Sequence, residues 1–182
     1  MMRLKAVKRS ALAGWASVVL LALSLPVQAK ENMRFHGALV AEPCVIPPGE
    51  ESVRLDFGTV IDKYLYQNTR THGQPFELHL AQCDLSLGKT VKVTFSGIEN
   101  QYLPGLLAIE GSSQANGIAI GMETQSGKPL PINKVGEGYR LVSGNNTLTL
   151  LAYVRGEPQA IVKQTIERGP FSAIATFSLV YE

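Results

Sequence analysis

Side-chain chemistry in this 182-residue chain could begin at three histidines, at two cysteines or at one glycine-bounded loop. Catalysis needs a base, a nucleophile or a metal held within reach of one another. His36, His72 and His79 carry none of the spacings that supply this, neither HExxH, nor HxH, nor a Cys/His cluster. His79 stands between Leu78 and Leu80, so strand alternation turns it outward if the leucines face a core. His36, between Phe35 and Gly37, behaves in the same way, and His72 lies in the turn-like TRTHG. All three read as solvated surface histidines. A serine hydrolase would show G-x-S-x-G at a strand-to-helix turn, which this sequence does not contain. GMETQSGKP, residues 121 to 129, spaces its glycines one residue too far apart for a phosphate loop. It also puts Pro129 where Ser or Thr would be needed. The stretch reads as a hairpin turn, and no enzymatic activity, cofactor or metal is expected.

Charge and compartment narrow the remaining classes. Lys+Arg 17 against Asp+Glu 15 leaves a formal net charge of +2, with Arg3, Lys5, Lys8 and Arg9 all at the start. A nucleic-acid partner would want a broad basic surface, so none is expected. The early charges precede an apolar run, residues 11 to 25, then Pro26 and the small residues Val27 and Ala29. This is the three-part pattern of a secretory signal peptide, residues 1–29, with cleavage after Ala29. The apolar run is shorter than the ~20 residues of a spanning helix. The mature chain, Lys30 to Glu182, has no segment apolar enough to span a bilayer. Export to an oxidising compartment turns Cys44 and Cys83 from candidate nucleophiles or metal ligands into one intramolecular disulfide. They are 39 positions apart, and closing a loop of that size stabilises by roughly 4 kcal/mol in the chain-entropy model.

The elements that must position these residues are short strands. Alternating or β-rich runs occupy residues 33–40, 53–60, 75–83, 90–97, 106–111, 117–123, 138–142, 146–154 and 171–182. Stretches rich in Gly, Pro, Asn and Ser separate them. The arrangement predicts an all-β antiparallel sandwich in one domain, with Leu55, Phe57, Phe76, Leu78, Leu80, Val91, Val93, Phe95, Ile118, Ile120, Leu148, Leu150 and Ala152 as inner-face candidates. Residues 61–73 read as a loop or connecting strand with Tyr64 and Tyr66 at the rim. No helical period is sustained beyond residue 29.

The two ends of the mature chain do not match. FSAIATFSLVYE, residues 171–182, is an alternating strand followed by nothing, although an apolar strand needs a partner on each edge. At the other end Met33, Phe35, Gly37 and Leu39 share one alternating face ahead of Cys44. Alternation alone does not distinguish a donated strand from a self-paired one.

Here the residues resemble the pilin subunits of chaperone–usher fimbriae in Gram-negative bacteria. The carriers are MRFHGALVAEPC with Gly37 in its middle, the Cys44 and Cys83 pair, penultimate Tyr181, and Gly169 fourteenth from the end. The resemblance implies an incomplete immunoglobulin-like sandwich lacking its last strand, completed by donor-strand complementation. Residues 30–40 would be the donor-strand extension and 41–182 the pilin domain. Met33, Phe35, Gly37 and Leu39 would insert into a neighbouring subunit. The C-terminal motif of Gly169, Ala175, Phe177, Leu179, Tyr181 and Glu182 would form the acceptor groove. The partners implied are a periplasmic pilus chaperone meeting the Glu182 carboxylate with basic residues, an outer-membrane usher, and neighbouring pilin subunits. The chain would pass through the periplasm to a fimbrium at the cell surface, supporting adhesion. Only Lys30, Glu31 and Asn32 precede Met33, a short leader that resembles minor, adaptor-type subunits. The alternative is a self-contained secreted β-sandwich that binds a carbohydrate or protein ligand.

Overall fold

A computed structural model describes residues 35–182. The signal segment, the cut after Ala29 and donor residue Met33 lie outside the described residues. Residues 40 to 182 form one compact unit. Its elements in chain order are α1 (Asp62–Asn68), β1 (Gln74–Cys83), β2 (Thr90–Ser96), β3 (Leu107–Ala108), β4 (Ile118–Thr124), β5 (Val135–Arg140), β6 (Gly144–Gly156), α2 (Pro158–Lys163) and β7 (Thr176–Tyr181). The strands make two sheets, ordered β1-β6-β4-β3 and β5-β2-β7, with every ladder antiparallel.

Alternation places the core as anticipated. In β2, Val91, Val93 and Phe95 turn inward, and in β1 Leu78 and Leu80 are buried while Glu77 and His79 are exposed. Across the β1–β6 ladder Phe76 opposes Leu150 and Leu78 opposes Leu148, the cross-strand pairs that stabilise a sheet face. β4 is buried along its whole length. Its outward side is covered by the Tyr153 ring, which lies so close to Gly121 that a Cβ there would come within 2.2 Å of it. The Arg70 guanidinium caps that ring at 3.8 Å and makes two hydrogen bonds, of 2.8 and 2.9 Å, to the buried Glu123 carboxylate. A buried carboxylate needs such a partner.

The structure departs from the sequence expectation in two ways. Two short helices appear where none was expected, α1 falling in the segment read as loop or strand. Each buries a single residue, Leu65 or Ala160, so neither has an apolar stripe to read. Tertiary contacts hold α1: Arg168 pairs with Asp62 at 2.7 Å, and the Tyr66 hydroxyl accepts the Ile166 N–H. Second, several expected strands are short or missing. Residues 35–40 and 53–60 form no ladder, 106–111 shrinks to β3, and 171–175 precede the final ladder instead of joining it.

Cys44 and Cys83 are joined by a disulfide, beside which Val45 and Ala81 exchange backbone hydrogen bonds of 2.9 and 2.8 Å. The bridge fastens the start of the compact unit to the end of β1. Replacing both cysteines by serine is expected to lower the unfolding free energy by about 2–5 kcal/mol. Urea denaturation measures it, and an unchanged midpoint would contradict the assignment of stability to this closure.

An open apolar cleft beside the last strand

A cleft of about 1160 Å³ opens the sandwich between two rims, residues 51–60 and residues 169–177. Its floor is the core itself: Phe76, Leu78, Phe95, Leu107, Ile120, Met122 and Ala152. The rims approach each other at Phe57 and Phe171, whose ring centroids are 6.1 Å apart. Below them Phe76 and Phe95 meet edge to face, also at 6.1 Å.

The second rim has the chemistry of a sheet edge. Phe171, Ala173, Ala175 and Phe177 are half-buried toward the cleft, while Ser172, Ile174 and Thr176 are exposed. Its backbone is bonded on one side only. The carbonyls of Pro170 and Ser172 accept from Gln114 (2.9 Å) and Glu110 (2.8 Å), and β7 then continues along β2 from Thr176 opposite Ser96 to Tyr181 opposite Val91. On the other side β7 is the free edge of its sheet. Gly169 starts this rim at φ +151°, and a Cβ there would lie 2.6 Å from the Gln114 side chain, so glycine is required on both counts. A free polar edge above an uncovered apolar floor suits one further β-strand, with main-chain bonds for pairing and alternate side chains for register.

Of the residues singled out in the sequence, Gly169, Ala175 and Phe177 line the cleft. Leu179 and Tyr181 continue the same inward face and pack on the core beyond the cleft lining. The Glu182 main-chain oxygen accepts from the Lys89 N–H (2.7 Å) and Thr90 N–H (3.0 Å), and its side chain pairs with Lys92 at 2.5 Å. Phe35, Gly37 and Leu39 are exposed and belong to no strand. Sequence reasoning missed the opposite rim as part of a site. Leu55 and Phe57 were expected in the ordinary core of a strand over 53–60, and the alternation of VRLDF carries no signal that this stretch is left without a ladder. The floor residues were likewise read as packing, which they are, except that nothing in the described chain roofs them over.

His72 and His79 sit apart from the cleft floor. His72 Nε2 meets the Tyr64 hydroxyl at 2.9 Å in a side pocket of about 260 Å³ that shares Phe57, Thr59 and Val60 with the cleft. His79 projects outward between Glu50 (2.7 Å) and Glu77 (3.2 Å), whose hydrogen bonds, Glu50 first, raise its pKa above the ordinary 6.5.

These features define a class: an immunoglobulin-like sandwich lacking its final strand, its core left open along one edge. The family model "Fimbrial protein" matches residues 33–182, and the chain belongs to that family. It is 30% identical over 155 residues to the Fimbria A protein of Serratia marcescens, covering 85% of this chain and 86% of that one. It is 31% identical over 156 residues to the Major MR/P fimbria protein of Proteus mirabilis, with the same coverage. The fimbrial adapter PapK of Escherichia coli is 28% identical over 172 residues, covering 91% of this chain and 96% of its own. Among solved structures the P pilus rod subunit PapA superposes with a TM-score of 0.67 at 25% identity, covering 78% of this chain and all of its own. The protein is a structural subunit of a chaperone–usher pilus at the cell surface, and the self-contained binding module is not favoured.

Because Glu50 leads into the first rim, the His79 contact tethers that rim. A raised folded-state pKa means the tether contributes below pH ~6.5 and is lost as pH rises through the folded value. NMR titration of the His79 ring is expected to show a midpoint above 6.5. The midpoint should fall back in Glu50→Gln/Glu77→Gln, and an unshifted midpoint in the parent protein would remove the tether.

Proposed function

We propose that this subunit is exported with cleavage after Ala29, captured by a periplasmic pilus chaperone, and joined to its neighbours by donor-strand exchange at an outer-membrane usher. Residues 30–40 act as the donor and residues 41–182 as the acceptor domain. Met33, Phe35, Gly37 and Leu39 enter the cleft of a neighbouring subunit, the one joined before it. Gly169, Ala175 and Phe177, continued by Leu179 and Tyr181, receive the strand of the next one. The Glu182 carboxylate meets basic chaperone residues during capture. The role is structural, supporting adhesion through the fibre.

One observation carries this reading: the last strand is hydrogen-bonded on one side only, above an apolar cleft that exposes the core. Burying each inserted Phe or Leu contributes about 1.5–3 kcal/mol, so several side chains make a durable joint. Gly37 lets the backbones approach where a side chain would not fit.

A peptide spanning Lys30 to Val40, mixed with chaperone-bound subunit, is expected to displace the chaperone. Phe35→Glu in that peptide should abolish displacement, while the same change in the full chain leaves chaperone capture intact. A wild-type peptide that fails to displace the chaperone would sink the proposal, and loss of both functions in the variant would mean Phe35 serves folding instead.

A further inference from the structure

The compact unit has two dissimilar poles. At one, the chain enters and leaves. Pro43 is buried, its carbonyl accepts the Asp84 N–H, and its ring sits 2.8 Å from where a Gly88 Cβ would be, beside Tyr181. Cys83 of β1 faces Gly144 of β6, Val91 of β2 faces Tyr181 of β7, and Thr90 of β2 faces Arg140 of β5, so five strands begin or end here. This entry pole carries three exposed apolar side chains on adjoining turns, Val45 (46%), Leu87 (50%) and Val142 (59%). Leu87 adjoins Gly88, and Val142 follows Leu141, whose N–H bonds the Lys89 carbonyl. The opposite pole is where the cleft rim begins. There Ile98 (79%) and Ile174 (69%) lie exposed just past the Ser96–Thr176 pair, and the Ile174 carbonyl is 3.3 Å from where a Gly97 Cβ would be.

Only four peptide units separate donor residue Leu39 from the buried anchor Pro43. They reach at most about 14 Å. A donor that runs antiparallel to β7, as every ladder in the molecule does, leaves its Leu39 end beside the start of the acceptor's last strand. The entry pole of the donating subunit is thereby pulled onto the cleft pole of the subunit that accepts its strand. The contact is head to tail, of the heterologous kind that propagates as a filament.

We infer that Val45, Leu87 and Val142 form a second subunit-to-subunit contact, docking on Ile98 and Ile174 of a neighbouring copy of this chain once the donor strand is seated. This rests on the donor-strand reading and adds that the joint is a braced one, not a tether alone. Apolar side chains brought together there shed water that a strand joint by itself would leave in place.

The test joins mature copies and follows their dissociation after dilution into mild denaturant. Leu87→Glu/Val142→Glu on the donor side, or Ile98→Glu on the acceptor side, is expected to shorten the lifetime of the joint by about tenfold. Leu87→Lys set against Ile98→Glu should recover part of it. All these positions are exposed, and thermal melting of each unjoined variant confirms its fold. The peptide Lys30 to Val40 carries no pole and should bind Ile98→Glu as it binds the parent acceptor. Parent lifetimes in the variants overturn the second contact and leave the donor-strand reading standing. Peptide binding without joining between copies overturns this choice of neighbour, and a peptide that binds neither acceptor defeats both.

Discussion

The constraint on which the rest depends is that the last strand has hydrogen-bond partners on one side only. Residues 170–181 are tied first to residues 110–114 and then to β2, and the outer edge of β7 meets no ladder among the described residues. Buried backbone N–H and C=O groups must be paired, so a strand in this position cannot be buried as it stands. The sandwich is consequently held open there, and the side chains that a further strand would cover remain half-exposed: Leu55 and Phe57 on one rim, Phe171, Ala175 and Phe177 on the other.

That openness has to be tolerated by what remains. The closed part of the core is dense, with Leu150, Val91, Val93 and Val154 almost wholly excluded from water, and it lies along β2, β4 and β6. The disulfide adds a second anchor by fixing the entry of the chain against β1, and Pro43 wedges between Gly88 and Tyr181. The closed core and these two anchors hold the unit together, while the rims of the cleft carry backbone that no ladder pairs. Regions with few paired backbone groups and partly covered side chains are the ones that open locally at least cost.

Most of the sandwich was legible because its inward faces alternate without interruption, as in Val91, Val93 and Phe95 or Leu148, Leu150 and Ala152. The open site was legible only as an imbalance, an alternating strand over 171–182 and a leading alternation over 33–39 that alternation alone could not pair. Its other rim was not, because VRLDFGTV carries the same pattern whether it is laddered or not, and only the fold shows residues 53–60 without a partner. The short helices escaped for a different reason. With one buried residue each, they owe their conformation to contacts such as Asp62–Arg168 that link residues far apart in the chain.

The unpaired segments connect these points. Residues 53–60 and 171–175 both read as strands by alternation, and both lie unladdered on facing rims of one cleft. Their sequences fit a ladder that the described residues do not provide. A single strand entering between them would satisfy the outer edge of β7 and the facing rim at once. It would also cover Phe57, Phe171 and the Phe76–Phe95 pair together. Binding and the completion of the fold are then one event, and the free energy of the joint includes the burial of the side chains the cleft leaves uncovered. A closed sandwich of the same composition would be the more stable monomer, but it would have no edge on which to build a fibre.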